Sequence, residues 1–335
     1  MVGGTGRISA AVSKLAVEKG IDLYLLNRGT QSEFFPAGAT LIQADARNEA
    51  EMRTALKGHT FDTVVDWLGF LPEQVEADIR LYSGITKQFI YISSAAAYEK
   101  PPAHYVMTEQ TRLQNPHWQY ARDKIACEEV LFEAYRQKGF PATVVRPSHT
   151  YGLASLPMIF PGRRSPYSMV MRMKQGKPIV VPGDGSSLWV VTHNSDFAKG
   201  FVGLLGNEKT IGEAYHITSD EVLTWDMIVR TIGCAAGVEP VIRHIATDFI
   251  ASCHPAVGPE LIGDKINSVC FDTSKLKALV PEFVCTTRLA DGAKLTMDWF
   301  DAHPEMKLAD EAWENVCDRL IAAQDAGLAA FHAGI

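Results

Sequence analysis

The chain has 335 residues, of which 47% are hydrophobic and 21% are charged, and its formal net charge at pH 7 is −7. These proportions are typical of a folded globular protein and exclude a disordered or collagen-like chain. The net negative charge argues against broad nucleic-acid binding, and no apolar run approaches the roughly 18 residues of a membrane span. The length predicts two domains, or one large α/β domain with an added lobe.

Six cysteines are scattered along the chain, without a Cys-x-x-Cys pair or a histidine at zinc-finger spacing. In a chain of this length they are typical of reduced, mostly buried thiols. The first residues do not have the basic flank and apolar core of a signal peptide. We therefore expect a cytoplasmic protein that does not bind a membrane or a metal ion.

A glycine-rich segment, Gly3-Gly4-Thr5-Gly6-Arg7-Ile8-Ser9, begins almost at the first residue. An apolar stripe with helical spacing follows and ends at Lys19-Gly20. The next apolar run, 21–26, is typical of a buried strand. A turn, a helix and a strand are three parts of a βαβ unit, so we expect residues upstream of Met1 to complete a first strand that ends in Met1-Val2.

Strands and helices alternate through the rest of the first half of the chain. The predicted strands are 40–43, 63–66, 88–92 and 142–145, and the predicted helices are 49–56, one that opens at Pro72, and 118–138. This alternation predicts a parallel sheet with helices on both faces, a doubly wound α/β fold of the Rossmann type.

The pattern loosens after Gly152, where turns rich in proline and glycine separate shorter elements. Among these are helices near 167–175 and 196–205 and a terminal amphipathic helix at 308–326. We expect a dinucleotide-binding Rossmann domain over residues 1–150, to which 190–218 return. Residues 151–189 and 219–335 are then predicted to form a smaller α/β substrate-binding lobe.

The glycine-rich segment has the spacing of a phosphate-binding turn. A dinucleotide pyrophosphate needs free backbone N–H groups at a helix start, where the helix dipole favours its charge. Glycine at positions 3 and 6 permits the tight turn, whereas Ser9 replaces the usual third glycine and weakens the match. The candidate cofactor-binding residues of this turn are Gly3, Thr5, Gly6, Arg7 and Ile8.

The end of the second strand, Asn27-Arg28, bears on the choice of cofactor. An acidic residue here would bind the ribose of NAD and repel the 2′-phosphate of NADP. Asn27 removes that repulsion and Arg28 offers donors to a phosphate, so NADP is favoured over NAD; a solvated turn arginine is the alternative. Asp45, beside Ala46, could accept a hydrogen bond from the adenine amino group, or be a simple loop aspartate.

Tyr120 and Lys124 lie four residues apart in a helical stretch and so share one face. The phenol of tyrosine ordinarily titrates near pH ~10, too high for a general base at neutral pH. A neighbouring ammonium and a positive nicotinamide ring would stabilise the phenolate and lower its pKa. A surface pair is the alternative, but a serine-rich strand end and the glycine turn precede this pair.

Together these motifs resemble the extended short-chain dehydrogenase/reductases of the NAD-dependent epimerase/dehydratase group. The resemblance spans nearly the whole chain and also includes Val64–Leu68, Ser93–Tyr98, Arg146–Gly152, and Gly183-Asp184-Gly185 with His193 and Asp196. It implies that Ser94 holds the substrate oxygen, that Tyr120 is the acid/base, and that Lys124 binds the nicotinamide ribose and tunes Tyr120. It further implies a cofactor lining that includes Trp67, Leu68, Gly69, Pro147 and His149.

Two departures from the family pattern narrow the chemistry. Nucleotide-sugar epimerases of the group usually carry an arginine where this chain has Trp189, and tryptophan cannot neutralise two phosphates, although it can stack on a sugar. Dehydratases carry an Asp-Glu pair where this chain has Ala95-Ala96, which argues against dehydration. The candidate substrate-binding residues are Ser94, Ala96, His149, Tyr151 and Trp189. Arg163-Arg164 could bind an anionic substrate, but adjacent loop arginines are more often solvated.

We therefore predict an NAD(P)-dependent oxidoreductase or epimerase, monomeric or homodimeric, that acts on a secondary alcohol or ketone of a sugar-like substrate. A nucleotide-sugar epimerase in the narrow sense is one alternative. The other is a cofactor-sensing or RNA-associated protein without catalytic activity, because the end of the second strand resembles chloroplast stem-loop-binding relatives. The net charge and the Ser94, Tyr120 and Lys124 set disfavour it.

Overall fold

The computed structural model describes residues 1–30, 33–160 and 165–334, so Arg163-Arg164 lie outside the described residues. The strands in these ranges are β1 (Tyr24–Asn27), β2 (Thr40–Gln43), β3 (Phe61–Asp66), β4 (Thr86–Ile92), β5 (Val106–Met107), β6 (Ala142–Pro147), β7 (His149–Tyr151), β8 (Ile179–Pro182), β9 (Leu188–His193), β10 (Ala214–Ile217), β11 (Val222–Thr224), β12 (Ile242–Ile245) and β13 (Cys270–Phe271). The α-helices are α1 (Ser9–Glu18), α2 (Glu49–Ala55), α3 (Pro72–Tyr82), α4 (Gln119–Lys138), α5 (Ser168–Lys174), α6 (Asn194–Val202), α7 (Trp225–Ala235), α8 (Thr247–Cys253), α9 (Gly258–Glu260), α10 (Ser274–Leu279), α11 (Leu289–Ala302) and α12 (Glu311–His332).

A parallel sheet forms the centre of the first domain. β2 pairs with β1, and β3, β4, β6 and β10 pair in that order, all in parallel. Val2 joins the two groups because it bridges both Leu26 in β1 and Asp66 in β3. The sheet order is therefore β2-β1-Val2-β3-β4-β6-β10, which places the glycine turn directly after an interior position of the sheet.

Helices cover both faces of this sheet. Buried residues of α2, α3 and α4 form one apolar cluster with Val64, Phe89 and Val144. Buried residues of α1, α6 and α10 form another with their strand neighbours Val65 and Ile90. Because successive strand residues point to opposite faces, a strand buried on both sides must be apolar throughout. The prediction of a doubly wound α/β fold is confirmed.

A second group of elements surrounds a separate apolar cluster. β7, β9 and β11 form a small sheet, in which β7 is parallel and β11 antiparallel to β9. β8 pairs with β12 in parallel. Residues of α5, α7, α8, α11 and α12 pack around these strands, with Trp225 and Trp313 buried among them. This group is the smaller C-terminal α/β lobe.

Several segments from the second half of the chain lie against the central sheet. β10 pairs with β6, and α6 packs on α1. Residues Leu276, Val280 and Phe283, in a stretch that the sequence analysis assigned to the lobe, belong to the same apolar cluster as β10. The exact division of the chain between the two domains stays a prediction.

Most predicted elements are present with shifted ends. The terminal helix, predicted at 308–326, is α12 at Glu311–His332, and it begins where the Asp310 side chain accepts a hydrogen bond from the Trp313 amide. The strand predicted at 21–26 is shorter, since β1 begins at Tyr24. The two-residue pair β5 and β13 was not predicted, because so short a strand has no periodicity to read.

All six cysteines are unpaired, as expected for reduced thiols. The expectation that most are buried is wrong, because only Cys127 and Cys317 are buried, and Cys234 and Cys253 are exposed. Among the described residues, no helix combines the length and apolarity needed to cross a bilayer. The same part of the chain contains no cluster of histidine, cysteine, aspartate or glutamate that could hold a metal ion.

Candidate active site

A cavity of about 780 Å³, here called the first cavity, lies at the carboxyl edge of the central sheet. In open α/β sheets this edge is where ligands bind. Its lining comes from the turn after Val2 and from the residues that follow β1, β2, β3, β4 and β6, with two side chains of α4. Of the predicted cofactor residues it includes Gly3, Thr5, Gly6, Arg7, Ile8, Asn27, Arg28, Asp45, Ala46, Trp67, Leu68, Lys124 and Pro147.

Two positions of the glycine turn, Gly3 and Gly4, do not tolerate a side chain. Gly3 and Gly4 have φ angles of 90° and 97°, a region that residues with a Cβ rarely adopt. A Cβ on Gly4 would lie 2.5 Å from Leu25 Cδ2. Ser9 Oγ accepts a hydrogen bond of 2.8 Å from the Gly6 amide. Ser9, which occupies the position of the usual third glycine, therefore links the turn to the start of α1. The turn can therefore bring its backbone close to a phosphate.

The lining suits an anionic dinucleotide in two further ways. Its cationic side chains outnumber its acidic ones, as Arg7, Arg28, Arg47 and Lys124 face the cavity with Asp45. Three polar atoms of the lining, Asn27 Nδ2, Trp67 Nε1 and Ser93 Oγ, are buried without a hydrogen-bond partner among the described residues. Buried polar atoms are rarely left unpaired in proteins, so these atoms fit a site that a polar ligand completes.

Asn27 and Arg28 lie where the second strand ends. The Asn27 side-chain oxygen accepts a hydrogen bond of 2.8 Å from the Gly29 amide, which turns the chain away from β1. Arg28 is exposed, and its guanidinium has no hydrogen bond or ion pair with any described residue. Asp45 Oδ1 accepts from the Arg47 amide at 2.9 Å, and Arg47 donates to the Leu68 carbonyl. Arg28 is thus free to contact a ligand phosphate.

Lys124 also lines the first cavity and is buried, with 2% of its surface exposed. Its ammonium donates to the carbonyls of Gly69 and Ile92 at 2.6 and 2.8 Å and to the Tyr91 hydroxyl at 3.1 Å. Burial lowers the pKa of Lys124 to about 8, and the Asp66 carboxylate opposes that shift. The ammonium lies 5.9 Å from the centre of the Tyr120 ring, on the same helix.

Tyr120 and Ser94 both line the first cavity and interact with each other. Tyr120 is half-buried, and burial raises its pKa, while its interaction with the Ser94 hydroxyl acts in the opposite direction. The Ser94 side chain also accepts from the Ala96 amide at 3.2 Å, which fixes the loop after β4. In this structure the protein alone does not lower the pKa of Tyr120, so the sequence-based expectation of a lowered pKa rests on the charge of a bound oxidised nicotinamide.

Two buried contacts hold α4, which carries Tyr120 and Lys124, against the sheet. Arg146 in β6 forms a bidentate ion pair with Glu128 on α4, with donor–acceptor distances of 2.9 and 2.6 Å. The Asn115 side-chain oxygen accepts from the Trp118 amide at the helix start, while its amide group donates to the carbonyls of Ala96 and Gly263. Asn115 therefore links α4, the Ser94 loop and the lobe.

A second cavity of about 280 Å³ adjoins the first and opens towards the lobe. The two cavities share Ile8, Ser94, Tyr120, Pro147 and Ser148. Its remaining lining includes Ala96, Lys100, Trp118, His149, Trp189, Asp264 and Lys265. Ser94 and Tyr120 thus lie at the boundary between a space for a cofactor and a space for a small ligand.

His149 and Trp189 form one wall of the second cavity. The Trp189 indole N–H donates to His149 Nδ1 at 3.3 Å, so that nitrogen carries no proton. Burial lowers the pKa of His149 well below its usual value, and the nearby Lys265 adds to the shift. The Trp189 ring stacks on Trp225 and lies under the Lys265 ammonium, 5.2 Å from the ring centre. Trp189 is thus part of the lobe core as well as of the cavity wall.

Two of the predicted site residues do not line either cavity. Gly69 contributes only its carbonyl, which accepts from Lys124. Tyr151 is 1% exposed and packs edge-on against His193 in the lobe, so it is a core residue rather than a lining residue. His149 lines the second cavity, not the first, and we do not place it in the cofactor space.

Sequence reasoning missed several lining residues. Arg47 and Ser93 are adjacent to predicted positions, and the rule that strand ends line such a site could have included them. Lys100 follows Ser94 by six residues, in a loop that has no pattern of its own. Asp264 and Lys265 end the short π-helix Leu261–Lys265 that follows α9, and no sequence signal connects them with Ser94. Only the tertiary contact between the lobe and the sheet brings them to the site.

Comparison with known proteins agrees with this architecture. Residues 1–218 match the model of the NAD dependent epimerase/dehydratase family. The chloroplast stem-loop binding protein of 41 kDa b from Arabidopsis thaliana is 27% identical over 261 residues, 73% of this chain and 65% of that protein. The 2′-dehydrokanamycin reductase of Streptomyces kanamyceticus is 23% identical over 239 residues, 71% of this chain and 66% of that protein. The chain thus spans slightly less than two thirds of the length of these relatives.

Solved structures show the same fold. The UDP-glucuronic acid 4-epimerase of Bacillus cereus, in complex with UDP-glucuronic acid and NAD, matches with a TM-score of 0.72 at 18% identity over 90% of this chain and 98% of that one. The epimerase Mth375 of Methanothermobacter thermautotrophicus matches with a TM-score of 0.74 at 14% identity over 91% and 92% of the two chains. With the match over residues 1–218, the resemblance drawn from the motifs is confirmed, and the chain belongs to the NAD dependent epimerase/dehydratase family.

Proposed function

We propose that the chain is an NAD(P)-dependent oxidoreductase or epimerase that acts on a secondary alcohol or ketone of a sugar-like substrate. One observation carries this proposal: the first and second cavities meet at Ser94 and Tyr120. A cofactor in the first cavity and a substrate in the second would therefore present their reacting atoms to the same two hydroxyl groups. The family and its structural neighbours include epimerases and reductases, which supports the assignment.

The residues of the first cavity divide between the parts of a dinucleotide. The glycine turn would hold the pyrophosphate at the start of α1, Asp45 and Ala46 the adenine, and Lys124 the nicotinamide ribose. The nicotinamide supplies the hydride chemistry when it is bound. Arg28 and the buried Nδ2 of Asn27 have no partner among the described residues. They favour NADP over NAD, because a 2′-phosphate would find donors here and the strand end Asn27-Arg28 carries no carboxylate.

Tyr120 moves the proton in this proposal. Because burial raises the pKa of Tyr120, the side chain is a phenol at neutral pH and can donate its proton to a carbonyl oxygen. Ser94 orients the same oxygen through its hydroxyl. Lys124, with a pKa of about 8, is mostly an ammonium at pH 7. Its hydrogen bonds to the Gly69 and Ile92 carbonyls hold that charge beside the Tyr120 ring.

Replacement of the phenol tests the proposal. Tyr120→Phe removes only the proton-carrying oxygen, so we expect turnover to fall by about 10²- to 10⁴-fold while cofactor affinity stays within about twofold. Net oxidation or reduction is followed by the nicotinamide absorbance in a screen of sugars and ketones with both cofactors. Epimerisation, which leaves the cofactor unchanged overall, is followed by separation of the epimeric sugars, and affinity is measured by calorimetry. Tyr105→Phe, at an exposed position, is the matched control. Undiminished turnover in Tyr120→Phe would refute the assignment.

An RNA-associated function is the second candidate, because one relative is a chloroplast stem-loop binding protein. Against it are the net charge of −7 and the presence of Ser94, Tyr120 and Lys124 at one site. The protein used for the turnover screen also serves for a gel shift with structured RNA at increasing salt. Salt-dependent binding of RNA together with no turnover on any substrate would favour this candidate.

A nucleotide-sugar epimerase in the narrow sense is a third candidate function, since one structural neighbour is a complex with UDP-glucuronic acid. Trp189, in the position where such epimerases usually carry an arginine, offers no charge to a diphosphate. Its ring is already in contact with Trp225 and Lys265. These contacts favour a substrate without a nucleotide.

A further inference from the structure

The second cavity contains charged side chains that the proposed hydride transfer does not use. The charged residues of its lining are Lys100, Asp264 and Lys265, which are 4%, 7% and 9% exposed. Charged side chains are seldom this buried unless they are paired. Their partners therefore decide what the cavity can bind.

The positive charge of Lys265 is balanced by other residues of the protein. Its ammonium lies 3.1 Å from a carboxylate oxygen of Asp264 and 5.2 Å from the centre of the Trp189 ring. Both contacts stabilise a positive charge. Asp264 and Lys265 together thus add no net charge to the cavity.

The positive charge of Lys100 has no such contact. Its ammonium has no hydrogen bond, ion pair or ring contact with any residue in the described parts of the chain. Burial lowers the pKa of Lys100, whereas Asp264 opposes the shift and Lys265 adds to it. His149 adds no second positive charge, because its Nδ1 accepts from Trp189 and burial holds its pKa low. One unmatched cationic group therefore remains in the second cavity.

Backbone hydrogen bonds hold the loop that carries Lys100. Its amide donates to the Gln114 carbonyl at 2.9 Å, and the Glu99 amide donates to the Arg112 carbonyl at 2.8 Å. Asn115, the next residue on the opposite segment, ties this loop to Ala96 and Gly263. An ammonium that lines a cavity and has no partner among the described residues is well suited to an incoming anion.

The volume of the second cavity limits the size of an anionic ligand that can bind there. A nucleotide sugar contains a nucleoside, two phosphates and a sugar, and so approaches a dinucleotide in size. The first cavity, which suits a dinucleotide, has about 780 Å³, whereas the second has about 280 Å³. The second cavity is therefore matched to a monosaccharide or a molecule of similar size.

We propose that the substrate is of monosaccharide size and carries a carboxylate or phosphate group that Lys100 binds. This inference rests on the proposed function for the position of the reacting carbon, between Ser94 and Tyr120. It adds the substrate class, an acidic sugar or a related hydroxy or keto acid. It also assigns Lys100 as the residue that selects this class over neutral sugars.

Binding experiments test the inference without relying on turnover. The protein saturated with NADP⁺ is titrated by calorimetry with D-glucuronate, D-glucose 6-phosphate, D-glucose and UDP-glucose. We expect at least one of the two acidic sugars to bind about tenfold more tightly than glucose, the factor that one charge-assisted hydrogen bond supplies. The better of the two shows whether the anionic group is a carboxylate or a phosphate.

Variants of Lys100 connect this preference with one residue. Lys100→Met replaces a buried, unpaired charge by an apolar chain of similar length, so it should fold with an unchanged or raised Tm. We expect it to lose the tenfold preference for the acid, whereas Lys100→Arg retains most of it. Lys57→Met, at an exposed position, should bind all probes as the original chain does. NADP⁺ affinity should be the same in all variants.

The inference is overturned if neither acidic sugar binds more tightly than glucose, if Lys100→Met keeps the preference, or if UDP-glucose is the preferred ligand. These outcomes are separate from the Tyr120→Phe experiment. Turnover that depends on Tyr120 but shows no preference for acids would reject only the role of Lys100. Turnover that survives Tyr120→Phe would reject the proposed function, whatever the binding data show.

Discussion

Each of the two cavities contains one buried lysine, and the two lysines differ in what their ammonium groups contact. Lys124, in the first cavity, donates to two carbonyls and a hydroxyl, whereas Lys100, in the second, has no partner among the described residues. A buried charge with hydrogen bonds is stable in one position, and a buried charge without them is destabilised until a ligand arrives. The cofactor side of the site is therefore organised before binding, and the substrate side is completed by its ligand.

We expect the largest effect from a substitution in the glycine turn, which tests whether the cofactor side of the site is organised before binding. Gly4→Ala places a Cβ 2.5 Å from Leu25 Cδ2 at a φ of 97°, so the turn must move and its amides no longer converge. We expect NADP⁺ affinity to fall at least about 100-fold and the free energy of unfolding to fall by about 3 kcal/mol. Calorimetry and denaturant unfolding measure the two quantities.

Gly58→Ala is the matched control for that experiment. Gly58 also has a positive φ, of 81°, but a Cβ there meets nothing within 4 Å. We expect a loss of about 1 kcal/mol from backbone strain alone and unchanged NADP⁺ affinity. If Gly4→Ala binds NADP⁺ as well as Gly58→Ala does, the first cavity is not organised by its glycine turn.

The pH dependence of stability tests the environment of Lys124. Its pKa is lowered from 10.5 to about 8, so between these pH values the unfolded chain binds more protons than the folded chain, and stability rises with pH. The difference in unfolding free energy between the original chain and Lys124→Met should therefore increase by about 2 kcal/mol from pH 8 to 10. Denaturant unfolding at several pH values, without cofactor, measures it. A constant difference would contradict a buried Lys124 ammonium.

The smallest of these effects concerns the choice of cofactor. Arg28→Ala removes a guanidinium that has no partner among the described residues, so it should weaken NADP⁺ binding about tenfold and leave NAD⁺ binding unchanged. Arg136→Ala, at an exposed position in the last turn of α4, is the control. Equal losses for both cofactors would mean that Arg28 does not contact the 2′-phosphate.

The parts of the fold that repeat locally could be predicted from the sequence. α4 and β6 were expected within two residues of their observed ends, because their apolar residues recur with helical or strand spacing over enough positions to be read. The pairing of β5 with β13 could not be predicted, since each strand has two residues and the pair joins segments far apart in the chain. The order β2-β1-Val2-β3 is the usual order of the first four strands in doubly wound dinucleotide-binding sheets.

The site divides in the same way. The first cavity is formed where successive strands end, so most of its lining could be predicted from sequence patterns. These patterns are the turn at Gly3, the strand ends at Asn27 and Ser94, and one helix face with Tyr120 and Lys124. The partners of Lys124 are carbonyl groups, which any sequence provides, and only the packing of α4 on the sheet selects those of Gly69 and Ile92.

The sequence by itself determined the doubly wound fold, the family, and the candidate residues Ser94, Tyr120 and Lys124, because each depends on spacing within one element or on the regular succession of elements. Only the tertiary structure decided which charges meet in the second cavity. Lys100 lies in a loop after β4, whereas Asp264 and Lys265 lie in the lobe. Whether a buried charge is paired depends on distances between segments that chain spacing does not constrain, so the unpaired state of Lys100 is visible only in three dimensions.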